Sequence, residues 1–149
     1  MSAPGQQQGG RGSRVSLLRW LPAIAWMAAI FALSSISGLR VSDVDEVDRP
    51  IRALAHLASY AFLGALVLYA LSGRARPTLR IVLLAFAITL LYGLSDEIHQ
   101  STVPNRSGRV EDLVIDALGA IIGLVIASAL LARWAMRSSQ HSTRRGGLR

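Results

Sequence analysis

Four long apolar runs with nowhere to place a polar face constrain this chain more than any other feature. Stretches such as VLLAFAITLLYGL and LGAIIGLVIASALLA offer water nothing on any side, whereas a helix of a soluble bundle sets a polar stripe against an apolar one. Residues 17–33, 51–71, 79–98 and 113–134 form the four runs. Each is roughly 17 to 23 residues long, enough to cross a hydrocarbon core at about 1.5 Å per helical residue. The expectation is an all-α, four-helix transmembrane bundle. Only 17% of the 149 residues are charged, so charge must be concentrated where it is wanted. The chain has no Cys, which excludes a disulfide framework and a thiolate metal site.

Arginine placement sets the expected orientation, because short loops rich in Arg or Lys stay in the cytoplasm. Arg11, Arg14 and Arg19 precede the first run, Arg74, Arg76 and Arg80 lie between the second and third, and Arg133, Arg137, Arg144, Arg145 and Arg149 follow or end the fourth. These regions belong on one side, so both termini are expected in the cytoplasm. The loop holding Asp43, Asp45, Glu46 and Asp48 then falls outside, with the loop between the third and fourth runs. All 16 basic residues are Arg, which points to a high-GC bacterial source and hence to the inner membrane. The net charge of +7 does not form a stripe along one fold surface, so nucleic acid is not expected as a partner; membrane lipids are. Residues 1–13 and 135–149 are rich in Gly, Gln, Ser and Arg and are expected to be disordered tails around a membrane domain at 14–134. An alternative for the first run is a signal peptide cut near ALSS.

In that topology the polar residues of the spans gather at one depth. His56 and Tyr60 lie just inside the second run, Asp96, Glu97 and Gln100 at the exit of the third, and Asp112 and Asp116 at the start of the fourth. Residues four apart share a helix face, which pairs His56 with Tyr60, Asp96 with Gln100, and Asp112 with Asp116. The last stripe continues through Gly119 and Gly123, and that of the second run through Gly64. Small residues mark the side where another helix approaches, so the polar residues are expected to face protein. A charge at the centre of a membrane helix costs roughly 2.5 to 3.5 kcal/mol, less near the interface, and such residues usually pair or line a wet cavity. Two like charges on one face require that one be neutral, paired to Arg106 or Arg109, or bound to a cation.

The segments LSSISG, HLASYAFLG and SDEIHQSTVPNRSGRVEDLVIDALGAIIG together resemble the VanZ-like family of small bacterial membrane proteins. The last segment carries the family's Asp-Glu pair, Gln, Pro-x-Arg turn, Asp and glycine-marked helix. The resemblance covers roughly residues 33–123. It points to His56, Tyr60, Asp96, Glu97, Gln100, Arg106, Asp112 and Asp116, and to a link with resistance to the glycopeptide teicoplanin. Where the family often has Lys three residues before the histidine this chain has Ala53, with Arg52 beside it, and Ser59 stands where an acid is common.

Together these features lead us to expect an outward-facing polar pocket that acts in the cell envelope and in glycopeptide (teicoplanin) tolerance, by binding an envelope component such as a cell-wall precursor, or the antibiotic. The binding residues are Tyr60, Gln100, Arg106, Arg109, Asp112 and Asp116. The alternative is an intramembrane acid/base enzyme acting on a lipid-linked or cell-wall precursor head group, with His56, Asp96 and Glu97 as catalytic candidates and Arg106 or Arg109 clamping a phosphate. No compact metal motif is present, so no cofactor is expected. A divalent cation between His56 and Asp96, Glu97, His99 or Asp112 is the competing possibility. Ser34, Ser35 and Ser95 have no triad around them, and four short spans with no charge at mid-depth make a poor transporter. The oligomeric state stays open.

Overall fold

The computed structural model describes residues 17–37, 44–104 and 109–146. They form four antiparallel α-helices: α1 (Leu21–Ser34), α2 (Asp45–Ser72), α3 (Leu79–Thr102) and α4 (Val110–Gly146). There is no strand among the described residues. The expected tail at 1–13 and Arg106 lie outside them.

Three helices are long and apolar enough to cross a membrane, over Glu46–Ser72, Leu79–Thr102 and Val110–Arg137. The first run is shorter than expected. Its helix α1 has 14 residues, about 21 Å at 1.5 Å per residue against a hydrocarbon core of about 30 Å. Both ends explain this. Pro22 stands in the first turn of α1 and lacks the N–H that would bond back to Leu18, so the preceding residues form a separate turn closed by Trp20 N–H to the Leu17 carbonyl. At the other end the Ser35 hydroxyl and the Ser35 N–H both turn back onto the Phe31 carbonyl, at 2.7 and 3.0 Å, and the Ile36 N–H closes a tighter turn on the Leu33 carbonyl at 3.3 Å. The fourth run instead overshoots: α4 continues to Gly146, through residues whose composition suggests a tail beginning at 135. That stretch mixes the helix formers Ala, Met, Arg and Gln with Ser, His and Thr, and has no Pro and no Gly before Gly146 to stop a helix.

At most a third of the apolar window of each long helix is buried within the bundle. Leu54, Phe62, Leu83, Leu91, Val125 and Ile126 all point outward, the pattern of a bundle whose solvent is hydrocarbon. Inside, Leu63, Val67 and Leu68 of α2 meet Ala85 of α3, Leu124 of α4 and Ala23 and Ile30 of α1.

The tightest seam joins α2 to α4. A Cβ added to Gly119 or Gly123 would collide with the backbone carbonyl oxygens of Leu57 and Ala61, so the two helix backbones touch where the sequence has no side chain. Helix α1 docks through polar ends of aromatic side chains. Trp26 Nε1 donates to the Ser59 carbonyl at 3.0 Å, and the Tyr92 hydroxyl donates to the Met27 carbonyl at 2.6 Å.

The bundle has two chemically different ends. Glu46, Asp48, Asp96, Glu97, Glu111, Asp112 and Asp116 all lie where α2 and α4 begin and α3 finishes. Arg19, Arg74, Arg76, Arg80, Arg133 and Arg137 lie toward the opposite end. There Arg74 stacks over the Trp134 ring at 5.4 Å, and the Arg19 guanidinium packs on Gly73, which closes α2 at a positive φ of 60°.

Candidate functional site

At the acidic end two polar networks adjoin inside the bundle. The first centres on Asp96. Its Oδ2 accepts from the Ser34 hydroxyl at 2.9 Å, from Gln100 Nε2 at 2.8 Å and, more weakly, from the Tyr60 hydroxyl at 3.4 Å. Gln100 Nε2 also reaches the Ser34 hydroxyl at 3.4 Å. Asp96 and Gln100 meet because they stand one turn apart on α3. Ser34 joins them because α1 ends at their depth.

The second network joins α2, α3 and α4. His56 Nδ1 and Asp116 Oδ1 lie 2.9 Å apart, an imidazole–carboxylate pair in which Asp116 is only 1% exposed. Glu97 Oε2 accepts the Arg109 backbone N–H at 2.8 Å, so a side chain from α3 caps the first turn of α4 and meets the positive end of its dipole. Arg52 forms an ion pair with Asp112 at 3.8 Å, a length at which charge attracts but no hydrogen bond forms.

Each carboxylate in these networks leaves an oxygen unused. Asp96 Oδ1, Glu97 Oε1, Asp112 Oδ2 and Asp116 Oδ2 are buried with no hydrogen-bond donor, as is Gln100 Oε1; Asp112 Oδ2 has only the distant Arg52 charge. Buried acceptors normally find a donor, so this end of the bundle has spare capacity to bind something. One ligand atom each from His56, Glu97 and Asp116 lie within 4.8 Å of one another.

Between α1 and α2 a cavity of about 150 Å3 opens beside these networks. Ser34, Arg52, His56, Ser59, Tyr60 and Asp96 supply its polar surface, while Ile30, Leu33, Ile51 and Ala55 make its walls apolar. Leu33 and Ile51 are exposed on the outside of the bundle.

The structure thus brings together His56, Tyr60, Asp96, Glu97, Gln100, Asp112 and Asp116. Arg109 joins through its backbone, and its side chain is exposed. The arginine that pairs with Asp112 is Arg52 instead. His99 stands apart, stacked on Phe31 at 4.3 Å with Ser35 at 3.0 Å. Sequence reasoning passes over Ser34 and Arg52 as site residues. Their signal is depth: LSSISG closes the first run, and Arg52 stands one turn before His56, both at the acidic end.

No curated protein and no solved structure matches the chain. The family model described as VanZ/LLP1 matches residues 3–132, which include all four of the polar helix segments just described. The chain belongs to the VanZ/LLP1 family.

Proposed function

We propose that this is a multi-pass protein of the bacterial inner membrane whose acidic end faces outward, and whose cavity between α1 and α2 binds the polar head group of a lipid-linked envelope component. Glycopeptide (teicoplanin) tolerance is the cellular role that goes with this reading. The observation that carries it is the cavity's construction. Its lining combines the polar residues Arg52, His56, Ser34 and Asp96 with apolar side chains of two helices. An amphiphile has that distribution of polarity. The volume of about 150 Å3 suits a small head group and is far below the size of a glycopeptide antibiotic, which favours the envelope component over the drug as occupant.

The His56–Asp116 pair at 2.9 Å favours a second reading, acid/base catalysis on the same head group. A carboxylate on one imidazole nitrogen orients the ring and leaves the other nitrogen to accept or donate a proton. Both readings are tested in a deletion strain complemented with wild type, Arg52→Gln or His56→Ala at matched membrane levels. Teicoplanin susceptibility should rise with both variants, and full complementation by both would place the function elsewhere. Capture of a photoreactive lipid probe by the purified variants separates the readings. Capture retained by His56→Ala while tolerance is lost supports catalysis; loss of both supports binding.

A further inference from the structure

We infer that His56, Glu97 and Asp116 bind one divalent transition-metal cation of the Zn2+ or Mn2+ kind beside the cavity that His56 lines. One imidazole nitrogen and two carboxylate oxygens form a donor set that suits these ions. The three side chains come from α2, α3 and α4 and offer ligand atoms within 4.8 Å of one another. At bond lengths near 2.1 Å neighbouring ligands of one ion stand about 3.4 Å apart in a tetrahedral shell and about 3.0 Å apart in an octahedral one, so closing the site takes up to about 1 Å of side-chain rotation, with no movement of the helices. The 2.9 Å between His56 Nδ1 and Asp116 Oδ1 matches both a hydrogen bond and the edge of such a coordination shell.

The second observation is independent of that spacing. Asp116 is 1% exposed and Glu97 7% exposed, yet Asp116 Oδ2 and Glu97 Oε1 have no donor. Their other oxygens are already used, by His56 and by the Arg109 N–H. A buried carboxylate oxygen without a partner is costly, and a cation satisfies several at once. Charge points the same way. Asp96, Glu97, Asp112 and Asp116 converge here, and among the described residues Arg52 is the arginine in an ion pair with one of them. Carboxylates removed from water are stabilised by a proton or by compensating positive charge. The depth and donor chemistry read from the sequence set His56 with Asp96, Glu97, His99 or Asp112. Asp96 turns one oxygen to Ser34, Tyr60 and Gln100 and His99 stacks on Phe31, and the group whose ligand atoms fall within 4.8 Å of one another is His56, Glu97 and Asp116.

The site deepens the reading of the cavity as a head-group pocket and rests on it for its role. Three protein ligands leave positions for an oxygen of the bound molecule or a water, so the cation would hold and polarise the head group. Its existence is tested by metal binding alone. The full chain, purified in detergent and stripped with chelator, is titrated calorimetrically with ZnCl2 and with MnCl2. One equivalent should bind, with affinity at least about tenfold weaker in Glu97→Gln and in Asp116→Asn and unchanged in His99→Ala. Because the buried variants can fail to fold, Mn2+ bound to the wild type is also examined by pulsed electron paramagnetic resonance, where coupling to one imidazole nitrogen is expected. Absence of saturable binding in the wild type, binding that neither variant weakens, or bound Mn2+ without nitrogen coupling overturns the inference. Metal binding as described alongside unaltered tolerance in Arg52→Gln and His56→Ala would sink the proposed cellular role and leave the metal site standing.

Discussion

Three donors share one oxygen of Asp96, and that crowding makes the residue's contribution readable by substitution. Asp96→Asn keeps an oxygen able to accept from Ser34, Tyr60 and Gln100, whereas Asp96→Ala leaves those buried donors without their acceptor. Each stranded group costs about 1–3 kcal/mol. Thermal unfolding of the purified protein should therefore show a clearly lower Tm for Asp96→Ala than for Asp96→Asn. Equal values would mean that the network does not hold α1 and α3 together. The Asp96–Gln100 bond is legible in the sequence, because both ends lie on one helix at a spacing of four. Ser34, from 62 residues away, is not, since nothing local records which residue of another helix will arrive at the same height.

Among the elements, the α2–α4 seam should be the least tolerant of added volume. A methyl group at Gly123 meets the Ala61 backbone, which cannot rotate away, whereas one at Gly64 would stand 3.2 Å from the Ala120 carbonyl oxygen, where a shift of a few tenths of an ångström suffices. Overpacking of this kind costs typically about 1–3 kcal/mol. Gly123→Ala should reach or exceed that range and Gly64→Ala fall below it, measured by unfolding in mixed detergent micelles; the reverse order would contradict the seam. The glycine stripe itself is visible from spacing. Helix α1 is held differently, by hydrogen bonds from aromatic side chains. Tyr92→Phe removes the bond to the Met27 carbonyl, a loss of about 1 kcal/mol, and should speed hydrogen exchange in α1 while leaving α4 unchanged. The shortness of α1 is less legible, because apolar composition runs through Pro22 while the backbone register does not.

For the whole molecule, the confinement of the carboxylates to one end, where a minority of the arginines (Arg49, Arg52 and Arg109) join them, carries the proposed orientation. The acidic end holds every described Asp and Glu, and the opposite end holds Arg74, Arg76 and Arg80 between α2 and α3, the arrangement that retains a loop in the cytoplasm. The chain's lack of Cys makes the test direct. Ser101→Cys and Thr78→Cys place single thiols at exposed positions of the acidic and arginine ends respectively. In intact cells a membrane-impermeant maleimide should label the first and not the second, and labelling of Thr78→Cys alone would invert the topology and the pocket with it.

Patterns that repeat along one helix are written in the sequence itself: the apolar runs, the four-residue spacing of His56 with Tyr60 and of Asp112 with Asp116, and the glycine stripe. They depend on helical geometry, which is the same for every helix. Pairings between helices depend on how far each one is rotated and how deep it sits, and those are set by contacts such as Gly119 against Leu57 and Trp26 against Ser59. That is why spacing and topology suffice to assign the carboxylates to one end of the bundle. It is also why Asp112 facing Arg52, Asp116 facing His56, and the unused oxygens between them emerge only when the helices are packed together.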